Sequence, residues 1–241
     1  MVAEYSHRIL PDGTVEVTFP GGEVLYSPPV PDWPWEVAHN YRIVVREDQY
    51  RAREFVRPGM QVLDVGANVG WFIVLARQLG AEVTAVEPIP GNVHCLELLR
   101  SEQGVHFGLV AGAMGSRSGD AVIHCSYDCV SGGSWIVAGA QPNGADLLPV
   151  AMETIDALVA RLGLARLDFI KVDTEGHEHE VLRGAATTLR QYHPVLAVSA
   201  YHKPTDCTTL PELLGQLAPE YPHVEVRSAG LGLELEMFAW C

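Results

Sequence analysis

Two glycines and one acidic residue have a spacing that is typical of a nucleoside-binding turn. The residues VLDVGANVG at 62–70 form an apolar run that leads into a glycine-containing turn. Gly66 would let the backbone approach a ligand closely, and Gly70 would permit tight contact where a helix begins. Glu87 ends a second apolar run, 21 positions after Gly66. A carboxylate at that place can accept hydrogen bonds from both hydroxyls of a ribose.

The same turn distinguishes between two nucleoside cofactors. The dinucleotide fingerprint G-x-G-x-x-G needs glycines where this chain has Asn68 and Trp71. Trp71 would also crowd the place where a pyrophosphate meets the helix N-terminus. The spacing G-x-N-x-G suits a cofactor without phosphates, of which S-adenosylmethionine (SAM) is the common one. The sequence favours SAM; an NAD-dependent oxidoreductase is the weaker alternative, and an ordinary turn beside a surface glutamate is the third.

A second group of polar residues follows two later apolar runs. Asp173 and Glu175 come just after the run at 167–172, and His202 follows Val195–Tyr201. An imidazole titrates near neutral pH, so His202 is the leading candidate for a general base. A histidine that only hydrogen-bonds within its loop explains His202 equally well. We expect all three side chains at the mouth of the cofactor site.

Carboxylates and a histidine can also bind a metal ion. Sites rich in oxygen with an added imidazole take magnesium or manganese, and the ligands here would be Asp173, Glu175 and His202. Three ligands scattered over two loops make a loose site, so we predict SAM as the cofactor and do not favour a metal.

Neighbouring charged residues have simpler interpretations. His177 and His179 lie two positions apart on a predicted helix, so they face different directions, and we expect both in solvent. Glu175 and Glu178 complement the positive N-terminus of that helix. Lys171 lies in an otherwise apolar strand, where it either pairs with Asp173 or forms a salt bridge at the edge of the strand.

Strands and helices must alternate to position these residues. Seven apolar runs are predicted strands: Gln61–Val65, Glu82–Val86, Val105–Leu109, Leu167–Val172, Val195–Ala200, Val224–Arg227 and Leu233–Trp240. Five segments have the helical period: Trp71–Leu79, Asn92–Arg100, Thr154–Leu162, Glu178–Tyr192 and Leu210–Leu217. This alternation predicts an α/β fold with a mostly parallel sheet covered by helices on both faces. The short link Ser228–Gly232 favours a C-terminal antiparallel hairpin at the sheet edge.

The first 55 residues differ from the rest of the chain. They contain several prolines, and Val15–Phe19 and Glu23–Tyr26 suggest a hairpin that turns at Gly21 and Gly22. We therefore predict an N-terminal extension over residues 1–55, packed on a domain formed by residues 56–241. The aromatic residues of the extension either cover a substrate pocket or attach the extension to the domain: Tyr26, Trp33, Trp35 and Tyr41.

The composition limits the kind of partner. The chain has 241 residues, with 16 basic against 30 acidic residues and a net charge of −14. Such a charge repels polyanions and disfavours a nucleic-acid partner. No apolar run reaches the roughly 20 residues of a membrane helix, and the five cysteines lack the C-x-x-C spacing of zinc sites and suggest no disulfide framework. We expect a cytoplasmic protein that acts on a small molecule, away from membranes.

Several ordered motifs resemble one family. They are DVGANVG at 64–70, VEP at 86–88, AMGSRSG at 113–119, FIKVDTEGHEHEVLRGA at 169–185 and VLAVSAYHKPTD at 195–206. Together they resemble the FkbM-type methyltransferases. The resemblance implies a Rossmann-like class I methyltransferase fold with seven strands. It also implies that SAM donates a methyl group to a hydroxyl, often on a secondary metabolite or a sugar.

The resemblance also implies roles for individual residues. Four residues would line the methionine and ribose end of SAM: Asp64, Gly66, Asn68 and Gly70. Glu87 would hold the ribose diol, and Ala113 would contact the adenine edge. Asp173 and Glu175 would lie beside the methyl donor, with Asp173 also touching the cofactor. Because a fold does not guarantee activity, a catalytically silent SAM-binding module remains an alternative.

Overall fold

Strands and helices alternate through the described parts of this computed structural model, which are residues 5–29, 33–125, 134–137, 146–229 and 234–241. The strands are β1 (Ser6–Ile9), β2 (Val15–Thr18), β3 (Val24–Ser27), β4 (Gln61–Val65), β5 (Glu82–Glu87), β6 (Gly108–Ala111), β7 (Ala113–Met114), β8 (Gly119–His124), β9 (Trp135–Ile136), β10 (Leu147–Glu153), β11 (Phe169–Val172), β12 (Val195–Ser199), β13 (His223–Ala229) and β14 (Glu234–Trp240). The α-helices are α1 (Trp33–Asn40), α2 (Ala52–Phe55), α3 (Trp71–Gln78), α4 (Pro90–Gln103), α5 (Ile155–Leu162), α6 (Glu178–Arg183), α7 (Ala186–Tyr192) and α8 (Asp206–Leu217). A π-helical segment, Tyr41–Arg46, continues α1.

The central sheet has seven strands in the order β13-β14-β12-β11-β4-β5-β6. Strands β6, β5, β4, β11 and β12 are parallel, whereas β14 is antiparallel to both of its neighbours. The predicted, mostly parallel sheet with a C-terminal antiparallel hairpin is therefore confirmed. The last strand lies inside the sheet, and β13 forms the edge. Residues 230–232 of the predicted link lie outside the described residues.

The two faces of the sheet carry separate apolar cores. Alternate residues of a strand point to opposite faces, so Val62 joins one core and Leu63 the other. The first core packs against α3, α4 and the N-terminal elements, and the second packs against α5, α6, α7 and α8. Helix α3 is buried at every position from Trp71 to Ala76, because it lies between the sheet and the N-terminal elements.

Several predicted elements have other bounds than the observed ones, and two of these differences have a bearing on the fold. The third strand of the sheet is Gly108–Ala111, and the prediction of Val105–Leu109 began three residues too early. The predicted helix Glu178–Tyr192 is two helices, α6 and α7, and the break lies at Gly184. A Cβ at Gly184 would lie 2.0 Å from the carbonyl oxygen of Gly115, so this backbone contact needs glycine. The carboxylate of Asp156 accepts the first backbone N–H groups of α7.

The N-terminal elements pack against the outer side of α3 and α4. Strands β1, β2 and β3 form an antiparallel sheet, and the predicted hairpin is its β2–β3 pair. Phe19 stacks on Tyr41 with ring centroids 3.8 Å apart and meets the edge of Trp71. Strand β1 and helix α1 were absent from the sequence prediction.

Two further observations, on membrane-spanning helices and on cysteines, apply to the residues that the structure describes. None of their helices combines the length and apolarity needed to cross a membrane. The four cysteines among them are free thiols.

Candidate active site

The glycine turn, residues 66–70, joins β4 to α3 at the carboxyl end of the sheet. Gly66 has a φ of 78°, and a Cβ there would lie 1.8 Å from the carbonyl oxygen of Asp173. The exits of β4 and β11 therefore touch through backbone atoms, which only glycine permits. The N–H groups of Gly66 and Ala67 both donate to the carbonyl oxygen of Val86 at 3.0 Å. These contacts of the turn hold the ends of β4, β5 and β11 close to one another.

Glu87 is a buried carboxylate at the end of β5. Its Oε2 accepts a hydrogen bond from the Asn68 N–H at 2.8 Å, and its Oε1 accepts one from the Ile89 N–H at 2.9 Å. Burial raises the pKa of Glu87 to about 7, although these N–H groups and Asn92 favour the ionised form. The side chain is thus held rigidly where β5 ends.

A cavity lies over the ends of β4, β5 and β11. Part of its lining is apolar, and the residues there are Val65, Val86, Ile89, Met114, Ile123 and Ile136. The polar part of the lining includes Asn68, Glu87, Asn92, Asp173 and Glu175. The cavity therefore offers both apolar surface and hydrogen-bonding groups to a ligand.

Most of the residues predicted from the sequence share this cavity. Those in its wall are Gly66, Asn68, Glu87, Ala113, Asp173 and Glu175. Asp64 and Gly70 do not line it. Asp64 lies fully buried below the glycine turn, and a Cβ at Gly70 would lie 2.9 Å from Leu99 of α4. Asp64 and Gly70 therefore support the turn from behind and do not face the cavity.

Lys171 connects the floor of the cavity to the glycine turn. Its Nζ lies 3.1 Å from Asp64 Oδ1 and donates to the carbonyl oxygen of Gly66 at 2.5 Å. Burial lowers the pKa of Lys171, but the carboxylates of Asp64 and Asp173 outweigh burial and raise it. The direct ion-pair partner is Asp64 on the neighbouring central strand, so the predicted strand-edge salt bridge is wrong, and Asp173 interacts with Lys171 through its charge without forming the direct ion pair.

Asp173 is oriented by a tyrosine that no sequence motif singles out. The hydroxyl of Tyr50 donates to Asp173 Oδ2 at 2.8 Å. Burial and the charge of Asp173 raise the pKa of Tyr50 far above its usual range, so the hydroxyl keeps its proton. Tyr50 and Asp173 are far apart in the chain, and no local pattern links them.

Glu178 shapes the turn that follows β11. Its side chain is completely buried, and its Oε1 accepts hydrogen bonds from the Thr174 N–H at 2.9 Å and the Gly176 N–H at 3.2 Å. Glu175 between them adopts a φ of 54°, a left-handed conformation. Glu178 is thus more than an acidic residue at a helix N-terminus. The short distance in the chain between Glu178 and Asp173 was the sequence signal that could have pointed to Glu178 as part of the site.

His202 completes a charged cluster, which we define as Asp173, Glu175, Glu178 and His202. Its Nδ1 lies 3.0 Å from Glu178 Oε1, and its Nε2 lies 3.6 Å from Asp173 Oδ1 and 3.5 Å from Glu175 Oε2. Burial lowers the pKa of His202, but the three carboxylates outweigh burial and raise it to about 9. The raised pKa favours the protonated imidazole, whereas a general base must be neutral, and the assignment of His202 as the base stays a prediction.

Two further carboxylates, those of Glu234 and Glu236, lie on the C-terminal hairpin. The Gln49 amide donates to Glu236 Oε1 at 2.6 Å and to Glu234 Oε2 at 3.0 Å. Burial raises the pKa of Glu236 to about 8. His39 of α1 lies 3.5 Å from Glu234, so the N-terminal elements reach this side of the molecule.

The neighbouring histidines were predicted to be exposed, and this prediction is wrong. His177 and His179 are both half-buried. His179 Nε2 forms a hydrogen bond with Thr209 Oγ1 of α8 at 2.8 Å. His179 thus helps to join α6 and α8 and does not belong to the cavity wall.

The sheet order and the cavity over the carboxyl ends of its central strands define a class I methyltransferase fold. The fold is similar to a methyltransferase FkbM from Methylobacillus flagellatus KT, with a TM-score of 0.56 and 20% identity over 86% of this chain and 53% of that one. The chain thus spans about half the length of that protein. It is also similar to a 16S rRNA methyltransferase from T. thermophilus in complex with AdoMet and guanosine, with a TM-score of 0.50 and 15% identity over 100% and 51% of the two chains. The METTL16 methyltransferase domain gives a TM-score of 0.51 and 11% identity over 97% and 85%.

The family follows from the sequence match. Residues 64–226 match the methyltransferase FkbM domain, and the chain belongs to this family of SAM-dependent methyltransferases. The resemblance seen in the motifs is confirmed, and the family favours SAM over a dinucleotide. No curated protein matches the chain at a significant level of sequence similarity.

Proposed function

We propose that the chain is an O-methyltransferase that transfers a methyl group from SAM to a hydroxyl of a small molecule, such as a secondary metabolite or a sugar. The observation that supports this most is the single cavity that joins Glu87 to Asp173 and Glu175. One end offers a carboxylate to a ribose, and the other offers carboxylates to an acceptor hydroxyl. A net charge of −14 also suits a small acceptor better than a nucleic acid.

The cofactor end would be built by backbone and one carboxylate. Gly66 and Asn68 border the space for SAM, Glu87 accepts the ribose hydroxyls, and Ala113 lies beside the adenine ring. When bound, SAM supplies an electrophilic methyl group on a sulfonium. Asp64 and Gly70 act indirectly in this proposal, because they hold the turn in place from below.

The acceptor end must position an oxygen and remove its proton as the methyl group transfers. Asp173 is fixed by Tyr50, so it can orient the hydroxyl. Glu175 lies in the same wall and its side chain is 35% exposed, so it can pass the proton to solvent. His202 acts as a positioning residue, because its ring contacts Asp173, Glu175 and Glu178.

Residues 1–55 would act as an extension that completes the acceptor end of domain 56–241. Tyr50 of the extension orients Asp173, and Trp35 of α1 is 68% exposed while it stacks on His39. An exposed aromatic ring of this kind suits contact with the face of a sugar or another ring.

Calorimetry with S-adenosylhomocysteine tests the cofactor site first. Micromolar binding by the wild type is expected, and an absence of binding would refute the proposal. Methyl-labelled SAM is then offered with a panel of sugars and polyhydroxylated metabolites. Label recovered as a methyl ether supports oxygen as the acceptor atom, whereas label on nitrogen or carbon contradicts it. Tight binding with no transfer to any member of the panel would favour a silent binding module.

A further inference from the structure

Two carboxylate oxygens of the charged cluster are buried without a hydrogen-bond partner. They are Asp173 Oδ1 and Glu178 Oε2. Buried polar atoms in proteins almost always have a partner, and exceptions call for an explanation such as a bound ion. Asp173, Glu178 and His202 also offer ligand atoms that all lie within 4.8 Å of one another.

We propose that Asp173, Glu178 and His202 bind a divalent cation, Mg²⁺ or Mn²⁺. Two carboxylate oxygens suit these hard ions, and one imidazole is compatible with Mn²⁺. The set differs from the one considered from the sequence, because Glu178 takes the place of Glu175. A cation here would neutralise carboxylates that otherwise lie close together around a single imidazole.

Each carboxylate is already fixed by one oxygen and keeps the other for a ligand. Glu178 uses Oε1 to accept the N–H groups of the turn, and Asp173 uses Oδ2 to accept the Tyr50 hydroxyl. The oxygens without partners are the remaining ones. Such fixed ligand groups reduce the entropy lost when an ion binds.

Contacts with His202 do not satisfy these oxygens. The distance of 3.6 Å between His202 Nε2 and Asp173 Oδ1 exceeds a normal hydrogen bond of roughly 2.7–3.2 Å. On the other side of the ring, Nδ1 lies near Glu178 Oε1, which already accepts the turn N–H groups. The His202 side chain is 10% exposed and that of Glu178 is fully buried, so water has little access to these two residues.

The location gives the ion a role that rests on the proposed function. Asp173 lines the cavity, and three protein ligands leave positions open in an octahedral shell. An acceptor hydroxyl in one of these positions would become more acidic, since a bound cation lowers the pKa of a coordinated oxygen. The hydroxyl proton would then leave to solvent through Glu175 as the new C–O bond forms and the C–S bond breaks.

Mn²⁺ binding can be measured without any methyl transfer. The full chain is treated with EDTA, freed of it and titrated with Mn²⁺, and free Mn²⁺ is followed by electron paramagnetic resonance. One site per chain is expected, and excess Mg²⁺ should compete for it. Glu178→Gln, Asp173→Asn and His202→Ala should each weaken binding about tenfold or more. Glu180→Gln, on the same helix but outside the site, should bind like the wild type.

Several outcomes would overturn the proposal. They are no Mn²⁺ site in the wild type, equal affinity in the site variants and the control, or a site that takes only Zn²⁺. Circular dichroism and thermal unfolding without metal identify any variant that fails to fold, and Asp173→Asn then replaces Glu178→Gln as the decisive variant. Calorimetry with S-adenosylhomocysteine in EDTA separates the two proposals, because cofactor binding without Mn²⁺ binding refutes the metal site alone.

Discussion

The two ends of the cavity are built in different ways. The proposed cofactor end consists of the glycine turn and Glu87, which lie close together in the chain on adjacent strands and interact largely through backbone N–H groups. The charged cluster, at the proposed acceptor end, draws on Asp173, Glu178 and His202, with Tyr50 from a distant segment. One end is thus built from local backbone contacts, whereas the other depends on side chains that tertiary packing brings together.

The largest expected effect concerns the ion pair that lies beneath both ends. Lys171→Met leaves Asp64 buried without its partner and releases the Gly66 carbonyl. Removal of one member of a buried ion pair costs about 3–5 kcal/mol, so the free energy of unfolding in urea should fall by that amount. Arg166→Met breaks an exposed pair with Asp168, in which Arg166 is 59% exposed, and should cost under about 1 kcal/mol. Equal losses would show that the buried pair has no special role.

Glu87→Gln should weaken binding at the proposed cofactor end of the cavity and leave the charged cluster unaffected. Hydrogen bonds to a charged group contribute roughly 1.5–3 kcal/mol, so affinity for S-adenosylhomocysteine should fall about 10- to 100-fold. Binding of Mn²⁺ to the charged cluster should stay unchanged. Glu82→Gln is the matched control, because Glu82 lies at the opposite, exposed end of β5. An unchanged affinity in Glu87→Gln would remove Glu87 from the cofactor site.

The pH dependence of cofactor binding follows from the same carboxylate. With a raised pKa of about 7, Glu87 is ionised above pH 7 and loses its charge as the pH falls through 7. Only the ionised form accepts both ribose hydroxyls. Affinity for S-adenosylhomocysteine should therefore be about tenfold lower at pH 6 than at pH 8. Calorimetry at both pH values checks this, and the dependence should vanish in Glu87→Gln.

The smallest expected effect tests whether Tyr50 serves the acceptor end alone. Tyr50→Phe removes the hydrogen bond to Asp173 Oδ2, which contributes about 1 kcal/mol, so methyl transfer should slow roughly fivefold. Affinity for S-adenosylhomocysteine should stay at the wild-type value. Tyr192→Phe removes a comparable hydrogen bond to the Leu164 carbonyl, and it should lower stability without changing turnover. A similar loss of turnover in both variants would make the effect of Tyr50 purely structural.

Short-range features of the fold were predictable from the sequence. Strand β4 begins and ends where its apolar run does, and Gly66, Asn68 and Glu87 could be placed together because a strand, a turn and the next strand are neighbours in the chain. The break between α6 and α7 was missed, since it depends on a backbone contact between Gly184 and the distant Gly115.

Long-range side-chain contacts were not predictable in this way. The partner of Lys171 proved to be Asp64, more than 100 residues away, and Tyr50 carries no motif that points to Asp173. The charge of His202 likewise depends on three carboxylates that converge only in the folded chain. Such contacts arise from the register of distant strands, which periodicity does not determine.

The position of β14 has a consequence for how the protein is made on the ribosome. Residues Glu234–Trp240 lie between β12 and β13, which are synthesised earlier but cannot pair with each other in this sheet. Translation delivers the N-terminal side first, so the edge of β12 stays open until Trp240 emerges. An open strand edge invites pairing with other nascent chains. The strand that leads into His202 therefore gains its last neighbour only after β14 is made, when the segments that hold the glycine turn are already available to fold.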